Sequence, residues 1–216
     1  MIAKKKLTRF YQKARQYVQK NCLEELNDIR KVSFKRLTKK KFIENYIWVV
    51  YVSGFKVSII DAKFSLLKRE FKNFDLSKLS RMRSTASVLK VFNNKRKASC
   101  VLKGASLISK EGFDNFKNRV AEEGVDALMD IPGIGEITKN HLARNIGLAD
   151  VAKNDIWIQR LTKQFGAEHY TRMFDILCKQ SNSKPGVVDF ILWRFCADSG
   201  WKTISYPSLQ KCIKEI

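Results

Sequence analysis

Residues 124–166, GVDALMDIPGIGEITKNHLARNIGLADVAKNDIWIQRLTKQFG, carry the strongest structural signal in the chain. At their centre is IPGIG, residues 131–135, between two short segments with helical spacing. Pro132 fixes one backbone dihedral, while Gly133 and Gly135 permit conformations and close approaches that a side chain would block. We therefore expect a tight turn that leads directly into a helix.

The helix after this turn is expected to present an apolar stripe formed by Ile137, His141, Leu142 and Ile146. Backbone N–H groups at a helix start have no carbonyl partner within the helix, and the helix dipole favours negative charge there. The N–H groups around residues 134–136 therefore form a predicted phosphate site.

Three features of the sequence resemble the endonuclease III-like, helix-hairpin-helix (HhH-GPD) superfamily of DNA glycosylases. DIPGIGEIT, residues 130–138, is similar to the family's hairpin, although glycine-rich hairpins also occur in polymerases and ligases. Asp155 follows Gly135 by 20 residues, where the family keeps its catalytic aspartate at the start of the next helix. FNNKRKASCVL, residues 92–102, resembles the family's Asn-Ser-Lys-Ala segment. Together the three features cover about residues 36–165.

The resemblance implies an all-α fold with two helical lobes. Residues 36–149 would form a central helical barrel that ends in the helix-hairpin-helix. Residues 1–35 and 150–216 would form the second lobe from both chain ends, with a cleft and Asp155 between the lobes. The residue pattern itself shows no long alternation typical of strands. Helices are expected over residues 2–20, 42–53, 58–71, 76–92, 95–109, 111–122, 124–129, 155–165, 169–181, 185–196 and 207–216.

Asp155 is the candidate catalytic residue. Breaking the bond between a base and deoxyribose places positive charge on the sugar, and a fixed carboxylate stabilises that charge and orients the attacking water. Aspartate is also a common helix N-cap, and the two roles are compatible.

Ile137 distinguishes two kinds of glycosylase chemistry. Family members that also cut the DNA backbone use a lysine amine two residues after the second hairpin glycine, and that position is Ile137 here. The resemblance therefore implies a monofunctional enzyme, which flips out a base, hydrolyses its glycosidic bond and leaves an abasic site. Lys139 lies about 200° further around the helix, so we assign it to the surface or to a phosphate contact.

Phe55 occupies the position of the family's wedge, which fills the gap left by an extruded nucleotide, although a polar residue is usual there. A buried aromatic side chain at a junction of two helices is the alternative. Ser53 and Ser58 flank this position and are candidates for the base pocket, together with Ile137.

Positive charge is concentrated in two blocks. The net charge is +21; residues 1–41 hold 14 Lys and Arg against 3 acidic residues, and residues 76–110 hold 9 with no acidic residue. Such segregation predicts a polyanionic partner, and the resemblance implies that this partner is double-stranded DNA. The predicted DNA-contacting residues are those of the hairpin and of a second helix start, namely Gly133, Ile134, Gly135, Thr138, Lys139, Lys95, Arg96 and Lys97.

The five cysteines are odd in number and widely spaced, which predicts free thiols and a reducing compartment. The last three, Cys178, Cys196 and Cys212, are 18 and 16 residues apart. Family members with an iron-sulfur cluster hold it with four cysteines within about twenty residues, so we expect no cluster. No bound metal is expected from the two histidines either. The resemblance allows one ion, a monovalent cation on the hairpin carbonyls.

The chain shows no apolar stretch of about 18 residues and no signal sequence. These absences predict a cytoplasmic protein that does not enter a membrane, associated with the nucleoid if its source is bacterial. We expect a monomer.

Several functions stay open on the sequence alone. Mispaired or deaminated pyrimidines, alkylated purines and oxidised purines all fit as the excised base. The same chemistry directed at hypermodified viral DNA would be a defence function. A hairpin module that binds DNA without catalysis, and a helical protein whose basic blocks contact ribosomal RNA, are the alternatives.

Overall fold

The computed structural model describes residues 2–197, which form helices joined by short loops and contain no strand. The all-α expectation is confirmed for this part of the chain. The α-helices are α1 (Lys4–Asn21), α2 (Leu23–Lys31), α3 (Lys39–Val52), α4 (Val57–Glu70), α5 (Leu76–Ser80), α6 (Ala86–Val91), α7 (Lys95–Glu111), α8 (Phe113–Glu123), α9 (Glu136–Ile146), α10 (Ile156–Gln164), α11 (Tyr170–Ser181) and α12 (Pro185–Ala197). Three 3-10 helices span Phe34–Arg36, Lys72–Phe74 and Val125–Asp130.

The chain divides into two compact units. The middle unit contains residues 33–149, and the terminal unit combines residues 1–32 with residues 150–216. The resemblance places the first boundary at residues 35/36, and the contacts place it at 32/33. Both place the second boundary at 149/150.

Helix α3 is the centre of the middle unit. Its sequence FIENYIWVVYV is apolar nearly all round, which is typical of a helix buried on every side. Thr38 caps it by accepting the Lys41 N–H at 3.3 Å. It packs against α4, α7 and α9, and its fully buried side chains include Phe42, Tyr46 and Tyr51.

The terminal unit is built around α12, which packs against α1, α2, α10 and α11. Its apolar side chains are buried along nearly the whole helix. From α1, the Phe10 ring contacts the rings of Phe165 and Phe195 at centroid distances of 5.5 and 5.4 Å. These contacts join both ends of the described chain into one core.

Two predicted helices differ from the structure, and one observed helix was not predicted. The segment 76–92 forms two helices, because Ser84 Oγ accepts the Ala86 N–H at 3.2 Å and starts a new helix there. The segment before the hairpin, expected to be a helix over 124–129, is the 3-10 helix Val125–Asp130. Residues 23–31, outside the expected helices, form α2 with acidic residues in its first turn and basic residues in its last. The helix expected over 207–216 lies outside the described residues.

None of the described helices combines the length and the apolar character that a membrane span requires.

Candidate nucleic-acid interface and carboxylate site

The hairpin is a closed turn with a sterically restricted glycine. Its first hydrogen bond runs from the Ile134 N–H to the Ile131 carbonyl at 3.0 Å, and both side chains are buried. Gly133 has a φ of +90°, which L-residues rarely adopt, and a Cβ there would lie 3.1 Å from the Cys100 Cβ. Glycine is therefore required at 133 by conformation and by packing against α7.

A buried tyrosine anchors the hairpin to the core of the middle unit. The Tyr46 hydroxyl lies 2.6 Å from the Pro132 carbonyl and 2.8 Å from the Cys100 carbonyl. Burial raises the pKa of Tyr46 well above its ordinary value, so the hydroxyl keeps its proton and donates it. Gly104 leaves the space for this hydroxyl, since a Cβ there would overlap it. Sequence analysis missed this anchor because Tyr46 lies in a largely apolar segment, where a tyrosine is not distinguished from the other core residues.

The N–H groups offered by α9 lie two residues later than the sequence indicates. Those of Ile134 and Gly135 are already bonded, the second to Thr138 Oγ1 at 2.7 Å. The first helical bond joins the Lys139 N–H to the Gly135 carbonyl at 2.8 Å. The N–H groups of residues 136–138 therefore precede the helical ladder and are the ones suited to an anion. Thr138 serves the helix start as a cap.

The two hairpin-helix residues singled out for chemistry have different environments. Ile137 is 46% exposed and does not join the buried stripe, which consists of His141, Leu142 and Ile146. Lys139, only 13% exposed, forms ion pairs with Asp126 at 2.6 Å and with Glu136 at 2.7 Å. The hydrogen bonds to Asp126 and Glu136 raise the pKa of Lys139. This ammonium ties α9 to the preceding 3-10 helix instead of projecting freely.

The start of α7 separates its three basic residues into two groups. Asn94 caps the helix by accepting the Lys97 N–H at 3.0 Å, and Lys95 and Arg96 are exposed. Lys97 turns inward, where its ammonium donates to the carbonyls of Val50 and, at 2.7 Å, Ser53. Burial lowers the pKa of Lys97. Lys97 thus caps the C-terminus of α3, and Lys95 and Arg96 remain as surface cations.

Phe55 lies at the junction of α3 and α4 with its ring 41% exposed. One side packs edge-on against Phe92 at a centroid distance of 5.0 Å, and the Lys97 ammonium lies 5.3 Å from the Phe55 centroid. The ring is therefore a surface aromatic held by two neighbours and not a fully buried side chain. Ser53 and Ser58 are exposed beside it.

Asp155 is the N-cap of α10 in the terminal unit. Its Oδ1 accepts the N–H groups of Trp157 at 3.0 Å and Ile158 at 3.1 Å. Its Oδ2 lies 3.2 Å from the Lys153 ammonium, and its side chain is only 16% exposed. The N-cap role is thus present, and the second oxygen is engaged independently of the cap.

Lys153 is a functional candidate that sequence analysis missed. Its side chain is 5% exposed, and its ammonium lies 4.2 Å from the centroid of the Trp193 ring. It is one of 42 Lys and Arg residues, and nothing in the local sequence distinguishes it from a surface lysine. Its contact with Trp193 comes from α12, a helix distant in the sequence.

Residues 2–197 contain few side chains arranged to hold a metal or another cofactor. No group of three or more His, Cys, Asp and Glu side chains that could hold a metal occurs there, and the four cysteines described are free thiols. Cys212 lies outside this part. The hairpin carbonyls of Ile131 and Pro132 already accept one hydrogen bond each. They would fit a monovalent cation through their second lone pairs only.

Comparison with known proteins identifies no relative of the chain. The sequence matches no family model, and neither a curated protein nor a solved structure is significantly similar to it. Residues 2–197 are thus an all-α structure with a glycine hairpin at one helix start and a largely buried carboxylate at another.

Proposed function

We propose that the chain is a DNA-binding protein of the helix-hairpin-helix class. More particularly, we propose a monofunctional DNA glycosylase that hydrolyses the bond between a flipped-out base and its sugar. The proposal of DNA binding rests on the hairpin and the basic blocks. The proposal of glycosylase activity rests on Asp155.

The hairpin supports the binding step because its helix start is open to an anion. Gly135 has extended backbone angles and no heavy atom within 4 Å of a Cβ position, so a phosphate can approach the backbone there. The N–H groups of residues 136–138 point along the helix dipole, which favours negative charge. Lys95 and Arg96 add exposed positive charge at the start of α7.

The environment of Asp155 is the observation that carries the enzymatic proposal. A structural cap needs one carboxylate oxygen, as Asp75 illustrates: it is exposed and accepts the Lys78 N–H at 3.0 Å. Asp155 is instead largely buried, and both of its oxygens are held, by two backbone N–H groups and by an ammonium. A charge fixed in this way stabilises a cationic sugar without reorganising during the reaction.

The residues at the hairpin helix support hydrolysis over backbone cleavage. Ile137 cannot form a Schiff base, and Lys139 is committed to two carboxylates. Water is therefore the proposed nucleophile and an abasic site the proposed product. The exposed Phe55 ring is the proposed wedge, since an apolar side chain can occupy the space that a flipped base leaves.

The experiment is base release from duplexes that each carry one modified or mispaired base, and from viral DNA with hypermodified bases. We expect strand cleavage for one substrate class only after treatment with alkali. Asp155→Asn should bind that duplex as the wild type does and release base at least about 1,000-fold more slowly. Asp150→Asn is the matched control, because Asp150 also accepts a backbone N–H, that of Gly186 at 2.7 Å.

Three outcomes would count against the proposal. Base release that survives in Asp155→Asn would remove this residue from the chemistry. Tight duplex binding without base release from any substrate would favour a hairpin module that only binds DNA. Cleavage without alkali would show that the protein is not monofunctional. The viral substrates decide between genome repair and defence against foreign DNA.

A further inference from the structure

Lys153 is a buried cation in a chain whose cations are mostly exposed. Its ammonium lies 3.2 Å from the Asp155 Oδ2 and 4.2 Å from the centroid of the Trp193 ring, both in the terminal unit. The side chain is 5% exposed, and Asp155 is 16% exposed. The three residues come from α12 and from the loop that leads into α10.

Burying an ammonium is unfavourable unless a charge partner and good geometry compensate it. The Asp155 carboxylate supplies the opposite charge, and the face of an indole ring attracts a cation. A lysine required only for net charge would lie at the surface, as Lys184 does at 3.8 Å from Asp150. Lys153 thus forms a buried ion pair with Asp155, in contrast to the exposed pair at Lys184.

We propose that Lys153 is a positioning residue for the reaction at Asp155, an inference that rests on the function proposed above. The backbone N–H groups of α10 hold Oδ1, and the Lys153 ammonium holds Oδ2. With both oxygens held, the carboxylate cannot rotate about its terminal bond, and its orientation toward a sugar is set before substrate binds. The Trp193 ring, 4.2 Å from the ammonium, adds a cation–π contact.

The ammonium also weakens the negative potential of the carboxylate, and this effect opposes the benefit of holding it in position. A positive charge at 3.2 Å reduces the negative potential that a cationic sugar would experience. The two effects on the Asp155 carboxylate, on its orientation and on its electrostatic potential, therefore predict opposite changes in the reaction rate when a neutral residue replaces Lys153. Loss of orientation slows the reaction, whereas release of the carboxylate's full charge accelerates it.

The test is single-turnover base release by the full chain with the substrate identified above, alongside the Kd for that duplex. Lys153→Met should lower the rate about 10- to 100-fold while the Kd stays within about threefold, because misorientation affects the reacting geometry alone. Lys153→Arg, which keeps a cation, should recover part of the rate. Lys184→Met, at the exposed pair, should match the wild type. Circular dichroism at the assay temperature checks that each variant is folded.

Three results would overturn the inference. A Lys153→Met rate at or above that of the wild type would show that the electrostatic effect dominates. A parallel loss of rate and binding would show a general structural role. A protein–DNA adduct trapped by borohydride in the wild type and lost in Lys153→Arg would show that the amine reacts covalently.

If the proposed glycosylase function is wrong, the same experiment gives a different result. If the wild-type chain releases no base from any duplex, the glycosylase proposal fails and Lys153 has no reaction to position. If the wild type is active, Asp155→Asn is inactive and Lys153→Met is unaffected, only the positioning role fails. Denaturant unfolding of the two single variants and of the double variant then reports separately on the ion pair.

Discussion

Two helix starts in this molecule use the same backbone feature in opposite ways. Helix α9 begins after Gly135, a residue without a side chain, and leaves the N–H groups of residues 136–138 ahead of its helical ladder. Helix α10 begins after Asp155, whose own carboxylate occupies the first N–H groups. One start is open to an external anion, and the other already contains an anion that belongs to the chain.

The comparison shows that the residue before a helix determines whether the first N–H groups are available to an external anion or are bonded to a carboxylate of the chain. A glycine offers donors to a phosphate, which suits binding. An aspartate offers a fixed negative charge, which suits stabilisation of a cation. A protein that must hold a polyanion and also stabilise a cationic sugar needs both arrangements. Each of the following predictions tests one side of this comparison.

Removal of the Asp155 carboxylate should have the largest effect on stability. Asp155→Ala removes the cap of α10 and leaves the Lys153 ammonium buried without this partner, at a cost on the order of 3–5 kcal/mol. Asp155→Asn should lose about 1 kcal/mol less, because asparagine also caps helices. Urea unfolding measures both changes. Asp75→Ala, at an exposed cap, is the control and should cost roughly 1 kcal/mol. Equal losses at positions 155 and 75 would show that the ion pair contributes nothing.

The two hairpin glycines should separate folding from binding. Gly133→Ala forces a Cβ onto a backbone with φ of +90° and against Cys100, and should destabilise the fold by about 2–3 kcal/mol. Gly135→Ala has space and extended angles, so its stability should change by less than about 0.5 kcal/mol. Its affinity for duplex DNA, measured by fluorescence anisotropy, should nevertheless fall about tenfold or more, because the new Cβ lies where a phosphate approaches. Unchanged affinity would argue against a hairpin clamp.

Two buried tyrosines of α3 form a matched pair for testing the hairpin anchor. Tyr46→Phe removes the hydroxyl that donates to the Pro132 carbonyl and should cost about 1–2 kcal/mol. The Tyr51 hydroxyl is buried without a hydrogen-bond partner among the described residues, so Tyr51→Phe should be neutral or slightly stabilising. Thermal unfolding compares the two variants. A similar Tm for both would mean that the anchor does not stabilise the hairpin.

The basic residues should differ in how salt affects their contribution to DNA binding, which is the smallest effect. Neutralising exposed Lys95 and Arg96 together should reduce the slope of log K against log salt by about 2 if each contacts a phosphate. Lys139→Met should leave that slope unchanged, because its ammonium pairs with Asp126 and Glu136 within the protein. Binding titrations between about 50 and 200 mM salt measure the slopes. A reduced slope for Lys139→Met would make it a direct phosphate contact.

Local patterns in the sequence predicted most of the helices. They predicted the contacts of charged residues less well. The spacing of apolar residues indicated α1, α3, α4 and α7 to α12 within a few residues, because helical periodicity is a property of the segment itself. The break between α5 and α6 was missed, since Ser84 competes for the backbone through its own side chain. Lys97 and Lys139 were predicted as DNA contacts, and the structure shows both ammonium groups bonded within the protein.

The amino-acid sequence by itself determined the all-α class, the glycine turn and the aspartate at the start of α10, because each depends on residues adjacent in the chain. Tertiary structure alone decided which polar groups are held and where. The Tyr46 hydroxyl meets a carbonyl 86 residues away, and the Lys97 ammonium meets one 44 residues away. Lys153 is buried, and its ammonium lies 4.2 Å from the ring of Trp193, a residue 40 positions later that α12 supplies. Such pairings follow from which helices pack together, and burial then makes the unpaired alternative too costly to persist.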